Sequence, residues 1–459
     1  MRKLDTIAAI ATPPGEGGLS VVRLSGPDAL DIASRIFRPA NGRAIPSMPG
    51  YTACYGRIHA PRGASDIDEG ILLVFRAPHS YTGEDVAELS CHGGRYVTQH
   101  VLRAALDAGA TLAQPGEFTK RAFLAGKLSL TQAEAVADLI AAQSRQAADA
   151  ALAGRDGALY RRIEAVTGSL LTIAASLAAW IDFPDEDTPA VETPVLLPQL
   201  QTALRELDAL LDGFEAGRAL REGVDVVIAG RPNAGKSTLM NLLAGFPRSI
   251  VTDVAGTTRD VVEESVIVGG VPLRLADTAG LRQTDDAVER IGVSLARERV
   301  ARAGLVLAVF DGAQPLSDDD RLLIGATGSR PCVAVVNKSD LPPALDAAEI
   351  GALLHAPAVT VSAKEGMGAD ALEAAIAQVL RVSALDPSAG ILAGERQRAC
   401  AVRARDALAE AAAALESGAT LDAVGVSLDG AIESLLELSG RRVSDEVVDQ
   451  VFSLFCVGK

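Results

Sequence analysis

Gly230-Arg231-Pro232-Asn233-Ala234-Gly235-Lys236-Ser237 decides how this chain is read. The stretch fits the pattern G-x-x-x-x-G-K-[ST] and lies between an apolar run at 224–229, which reads as a buried strand, and 238–243, which opens a helix. The glycines therefore fall on a strand-to-helix turn, where backbone N–H groups and the helix N-terminus cradle phosphates. Lys236 reaches the β- and γ-phosphates as a point charge, and the Ser237 hydroxyl helps to hold Mg2+. Asn233, Ala234, Gly235 and Thr238 complete the expected nucleotide contacts of this loop.

Three later segments choose the base. Asn337-Lys338-Ser339-Asp340 follows an apolar run, and the Asp340 carboxylate can accept two hydrogen bonds from guanine N1–H and the exocyclic amine; adenine offers no such pair. Ser362-Ala363-Lys364 follows the apolar run 359–361, and a backbone N–H there is expected to meet guanine O6. Asp277-Thr278-Ala279-Gly280 ends the run 273–276, which brings a carboxylate towards Mg2+ and a Gly N–H towards a γ-phosphate. Singly these are weak matches; in this order they read as a GTPase domain.

Between them lies Thr252-Asp253-Val254-Ala255-Gly256-Thr257-Thr258-Arg259-Asp260, polar and without helix or strand period. It reads as a switch loop ordered by γ-phosphate and metal contacts, with Thr258 chosen to complete the Mg2+ shell. Leu281 stands where Ras-like enzymes carry the Gln that orients the attacking water. Either the chain hydrolyses GTP very slowly or another group does that work, and Gln283, Asp285, Asp286 and Glu289 are the candidates in the polar stretch that follows.

The 459 residues suggest about three domains, and 48% hydrophobic content is ample for packed cores. Met1-Arg2-Lys3 is not followed by a signal-peptide core, since Asp5 and Pro13-Pro14 interrupt it. The apolar run 170–181 is read as too short to span a bilayer. The expectation is a soluble cytoplasmic protein without a membrane partner. Five cysteines show neither paired nor metal-ligand spacing. A formal charge of −16 argues against broad nucleic-acid binding, so any RNA contact is local. Arg396, Arg398, Arg403 and Arg405 form one basic group and Lys120, Arg121 and Lys127 another; a solvated helix face is the simpler reading of the first.

The expected organisation is multidomain, α+β and α/β. Residues 1–118, with short alternating runs broken by Pro and Gly, read as an α+β domain. Ala-rich helical patterns fill 119–217 and return at 381–459. An inserted P-loop GTPase domain occupies 218–380, which suggests one helical domain built from two halves.

Over nearly its whole length the chain resembles the tRNA-modification GTPases called MnmE or TrmE. The resemblance is carried by Asp5-Thr6-Ile7, Ala11-Thr12-Pro13-Pro14-Gly15, Val22-Arg23-Leu24-Ser25-Gly26, Tyr81-Thr82-Gly83-Glu84-Asp85 and His92-Gly93-Gly94. Pro115-Gly116-Glu117-Phe118, Ile181-Asp182-Phe183-Pro184, Gly256-Thr257-Thr258-Arg259-Asp260 and the terminal Phe455-Cys456-Val457-Gly458-Lys459 extend it. It implies a homodimer that works with an FAD-dependent MnmG/GidA-type protein, in a heterotetramer, to install a carboxymethylaminomethyl-type group at carbon 5 of the wobble uridine of certain tRNAs. The one-carbon unit is implied to come from 5-formyl- or methylene-tetrahydrofolate. Arg23, Glu88, Lys127 and Lys459 occupy the matching folate-contact positions of the N-terminal domain. Glu289, in Val288-Glu289-Arg290-Ile291-Gly292, matches the indirect catalytic acid-base, and Asn233, Thr252, Val254 and Thr257 match the ligands of a K+ ion bound between dimerised GTPase domains. Cys456 is assigned to the modification site.

Glu16 departs from the family, many of whose members carry a basic residue there. The ending Cys456-Val457-Gly458-Lys459 fits a prenylation box only superficially, because Gly and Lys are wrong for its last two places. The competing functional class is a regulatory GTPase switch in ribosome assembly, whose nucleotide motifs would look the same.

Overall fold

A computed structural model of the chain describes residues 5–61, 65–182, 193–247, 264–275 and 303–459. They form two compact units, one of Met1–Ala137 with Ser439–Lys459 and the other of Asp138–Leu438.

The first unit is built on strands β1 (Ile7–Ile10), β2 (Gly17–Ser25), β3 (Phe37–Pro39), β4 (Thr52–His59), β5 (Asp66–Phe75), β6 (Val86–Gly93) and β7 (Thr111–Leu112), ordered β3-β4-β5-β6-β2-β1-β7. The pairs are antiparallel except β1 with β7. Alternation of buried and exposed residues along β4 gives the sheet one apolar face. Helices α1 (Ala29–Ile36) and α2 (Arg95–Asp107) cover that face, packing Ile32, Ile36, Val101 and Ala105 against Val22, Leu24, Leu72 and Leu89. Helix α3 (Glu117–Leu124) follows a left-handed turn at Gly116. Near it, Leu130 and Ala133 of α4 (Leu130–Ala141) share a small core with Val448, Phe452 and Phe455 around helix Asp445–Ser453. Sequence reading ended the first domain at 118 and gave 119–137 and 439–459 to the helical domain; in the structure both segments pack with the N-terminal sheet unit.

In the second unit, α5 (Arg145–Arg155), α6 (Ala158–Asp182), α7 (Thr193–Asp212) and α8 (Phe214–Glu222) precede the nucleotide-domain sheet. Buried residues on α6 recur as Leu159, Ile163, Val166, Leu170, Ile173 and Leu177, and on α7 as Leu196, Leu200, Ala203, Leu207 and Leu210. Alternating steps of four and three keep one stripe on the core, the spacing of left-handed bundle packing. Helices Glu395–Glu416 and Leu421–Ser439 present the same spacing through Ala401, Ala404, Leu408 and Ala411 and through Val424, Leu428, Ala431 and Leu435. Residues before and after the inserted domain thus share one core. Helix α6 has 25 residues, long and apolar enough to cross a membrane by length and composition, so the expected short run is corrected as to length. Its buried stripe belongs to the bundle core.

The inserted domain is a six-stranded sheet of β8 (Val224–Ala229), β9 (Glu264–Val268), β10 (Val271–Leu275), β11 (Leu305–Asp311), β12 (Cys332–Asn337) and β13 (Ala358–Thr360), ordered β13-β12-β11-β8-β10-β9. All neighbours are parallel except β9 with β10. Strands β11 and β12 are buried at every residue, as a parallel sheet covered on both faces requires. Leu305, Leu307 and Val309 join one apolar layer while Val306, Ala308 and Phe310 join the other. The C-terminal ends of β8, β11 and β12 then converge on one edge, where ligands of open α/β sheets bind.

Candidate functional site

The phosphate loop runs from the end of β8 into helix α9 (Lys236–Ala244). Two of its residues hold left-handed backbone, Asn233 at φ 62° and Gly235 at φ 95°. A β-carbon on Gly235 would lie 2.1 Å from Asn337 Nδ2, and one on Gly230 would lie 2.4 Å from the Val309 carbonyl oxygen, so both positions exclude side chains. Lys236 Nζ donates to the carbonyls of Gly230 and Arg231, both at 2.9 Å, which holds its charge at the mouth of the turn. Burial pushes the Lys236 ammonium below the ordinary lysine range. Ala234 is buried; Asn233, Ser237 and Thr238 are exposed on the same turn. The left-handed turn, the exposed first helical turn and the converging lysine fit a nucleotide's phosphates, and the Ser237 hydroxyl is accessible to a magnesium ion.

Asn337, at the end of β12, is 2% exposed. Its Nδ2 donates to the Ala234 carbonyl at 3.0 Å, and its Oδ1 accepts the Ala363 N–H at 3.0 Å. One side chain therefore ties the phosphate loop to the turn at 362–364. Ser362 is fully buried and its hydroxyl donates to Asp340 Oδ1 at 2.6 Å. This hydrogen bond is the main cause holding the Asp340 carboxyl below the usual carboxylate range. The carboxylate stays exposed and ionised, with lone pairs left for two further donors. Lys338, also left-handed at φ 68°, donates to Asp311 Oδ2 at 2.7 Å. Lys364 is exposed and pairs with Glu365 at 3.3 Å.

The structure brings together Asn233, Ala234, Gly235, Lys236, Ser237, Thr238, Asn337, Lys338, Asp340, Ser362, Ala363 and Lys364 along the carboxyl edge of the sheet. Thr252, Asp253, Val254, Ala255, Gly256, Thr257 and Thr258 lie outside the described residues, as do Asp277, Thr278, Ala279, Gly280 and Glu289. Sequence reasoning missed Asp311, the partner of Lys338, and Arg231, which lies 4.0 Å from the same carboxylate. Neither stands in a pattern of its own, and only the sheet topology juxtaposes them.

A second cluster occupies the first unit. Arg23 on β2 and Glu88 on β6 stand directly opposite in the strand register, and their ion pair is 2.7 Å long. The Arg23 guanidinium carbon lies 5.6 Å from the centre of the buried Phe118 ring, and a second nitrogen donates to the Gly458 carbonyl at 3.2 Å. Lys459 follows, its ammonium pushed below the ordinary range by burial and then by Arg23, against the opposing pull of Glu88. The tail is held by a bridge between Pro115 and Val457 and by the Gly116 N–H donating to the Cys456 carbonyl at 3.3 Å. Cys456 is exposed while the other four cysteines are buried. Arg23, Glu88 and Lys459 are thus assembled, a paired carboxylate and two cations beside an aromatic ring, which fits a ligand bearing carboxylates and ring N–H donors. Lys127 donates instead to the carbonyls of Pro78 and Ser80.

Both basic groups are engaged by neighbouring groups, with Arg398 and Arg403 left half exposed. Arg121, 6% exposed, pairs with Glu84 and Glu117, and Lys120 pairs with Asp449. Arg396 donates to the Glu437 and Leu438 carbonyls, Arg403 pairs with Glu437 at 2.7 Å, Arg398 lies over the Phe214 ring, and Arg405 lies 3.9 Å from Asp208.

Residues 130–456 match the family model of the MnmE helical domain, and residues 6–127 that of the GTP-binding protein TrmE N-terminus. The chain is 48% identical over 457 residues to the tRNA modification GTPase MnmE of Symbiobacterium thermophilum, covering 99% of each chain. To the protein of the same name from Heliobacterium modesticaldum it is 43% identical over 463 residues, again 99% of each. Among solved structures, the G domain of the T. maritima FeoB iron transporter aligns at TM-score 0.27 and 26% identity, over 34% of this chain and 98% of that one. With phosphate loop, base loop and terminal Cys motif carried on a chain matched from end to end, the protein belongs to the MnmE family of tRNA modification GTPases.

Proposed function

We propose that this chain is a GTP-hydrolysing enzyme that modifies tRNA, adding a carboxymethylaminomethyl-type group to carbon 5 of wobble uridine with an FAD-dependent MnmG/GidA-type partner. The observation that carries the reading is the double tie of Asn337, which holds the phosphate loop and the base turn as one nucleotide cradle. Asp340 selects guanine, Lys236 and the loop amides hold the phosphates, and Ser237 with Thr258 holds Mg2+. Glu289 acts in activating the water. Asn233, Thr252, Val254 and Thr257 would hold a K+ ion whose positive charge would take the place of an arginine finger, with GTPase domains dimerising around it. Exposed Asn233 in its left-handed turn supports its share of that cage. Arg23, Glu88, Lys127 and Lys459 would hold the tetrahydrofolate, 5-formyl or methylene, which would supply the one-carbon unit when bound; Cys456 serves the modification. Supporting this is the exposed thiol three residues from Lys459, on a tail docked at Arg23. The working form is a cytoplasmic homodimer in a heterotetramer with the partner.

Hydrolysis is expected to be faster in K+ than in Na+ at equal ionic strength, since an oxygen cage of fixed size discriminates the two ions. Equal rates in single-turnover assays would remove the K+ ion from the mechanism. The two activities separate by residue. Glu289→Ala is expected to lower the hydrolysis rate with nucleotide affinity nearly intact, and Cys456→Ser to abolish tRNA modification with hydrolysis nearly intact. Nucleoside mass spectrometry of tRNA, beside GTPase assays on both variants, is the check; full wobble-uridine modification by Cys456→Ser would overturn the role of the tail.

A further inference from the structure

An ion-pair chain joins the two nucleotide loops from behind. Asp311 is the last residue of β11 and is 7% exposed. Its Oδ1 accepts the Ala313 N–H at 3.1 Å, which orients the carboxylate, and its Oδ2 lies 2.7 Å from Lys338 Nζ and 4.0 Å from an Arg231 guanidinium nitrogen. Lys338 belongs to the base loop, two residues from Asp340. Arg231 belongs to the phosphate loop, and its carbonyl accepts Lys236 Nζ. The Arg231 Nε also lies 3.8 Å from Asp320 Oδ2, a 1% exposed carboxylate whose Oδ1 has no hydrogen-bond partner among the described residues. Two cations from two loops therefore face one buried carboxylate, with a second behind. Without Asp311 they would repel each other, and Lys338 would keep its left-handed backbone at φ 68° without its anchor.

We propose that Asp311 is a positioning residue for the nucleotide: through Lys338 and Arg231 it sets the spacing of base loop and phosphate loop before binding. Loops held in place lose less freedom when the ligand arrives, which appears as affinity. The inference rests on the reading of 337–340 as the guanine loop.

The test uses the full chain, with GTP and GDP binding followed by titration calorimetry. Asp311→Asn, isosteric and uncharged, is expected to weaken both nucleotides by about tenfold, the scale of a charge-assisted pair. It is expected to raise KM while kcat at saturating GTP changes by less than about twofold. Asp311→Glu, which keeps the charge, is expected to retain most of the affinity. Combined with Lys338→Met, Asp311→Asn should add clearly less than its loss in the wild-type background, only the Arg231 arm being left to lose. Thermal unfolding of each variant separates loop geometry from folding. Wild-type affinity in Asp311→Asn, equal losses in Asp311→Asn and Asp311→Glu, or full additivity with Lys338→Met each overturn the proposal. Asp340→Asn in the same series isolates its premise: if that variant binds GTP more weakly while Asp311→Asn is unchanged, only the role of Asp311 falls, and if neither changes, the guanine loop reading itself falls.

Discussion

Asn337 is almost wholly buried, and its amide ties two backbone groups of different loops. Truncation strands the Ala234 carbonyl and the Ala363 N–H, each left at a cost of about 1–3 kcal/mol. Asp340, beyond the same turn, works differently: it is exposed, and its value is in what it accepts. Ser362 occupies one lone pair and holds the group ionised, leaving it matched to two donors. Asp340→Asn replaces one acceptor by a donor, so GTP affinity is expected to fall by about tenfold or more while xanthine nucleotides gain. Competition binding with GTP and XTP decides it, and unchanged preference would remove the guanine assignment.

At the scale of elements, the sheet of the first unit carries a pH-dependent clasp. His92, at the end of β6, donates its backbone N–H to Asp68 Oδ2 on β5, and its Nδ1 lies 2.7 Å from Asp68 Oδ1. The side-chain hydrogen bond to Asp68, with its negative charge, raises the His92 imidazole above its ordinary 6.5. A raised pKa in the folded state means that the folded chain holds the proton more tightly than the unfolded chain. The stabilisation is complete below about pH 6.5 and is lost as pH rises through the raised value. His92→Asn is therefore expected to lower the unfolding midpoint more at about pH 5.5 than at about pH 8.5. Equal shifts at the two values, measured by thermal denaturation, would show that the clasp carries no charge.

At the scale of the molecule, the chain's last turn belongs with its first strands. Gly458 has φ 101°, and a β-carbon there would lie 2.3 Å from the Ile10 carbonyl oxygen. Gly458→Ala is thus expected to dislodge the terminal residues from Arg23 and to weaken retention of a reduced folate, with GTP affinity unchanged because the nucleotide loops belong to the other unit's core. Ligand retention on desalting, beside GTP titration, checks both arms; undiminished folate binding would sink the idea. What the sequence determined by itself was local chemistry and burial. Gly230 to Ser237 specifies its turn through glycines and a helix start within eight residues, Asn337-Lys338-Ser339-Asp340 states its acceptor in four, and the unbroken apolar runs of β11 and β12 announce a sheet covered on both faces. The α6 and α7 stripes likewise declare a buried side. None of these patterns names a partner, since periodicity records that a face is buried and is silent about what buries it. Only the tertiary structure decided that 439–459 returns to the N-terminal unit and that Asn337 reaches Ala234, 103 residues away. It also paired the arginines at 396–405 with carbonyls, carboxylates and a ring, and set Asp311 between two loops, because each of these depends on which strands and helices lie side by side.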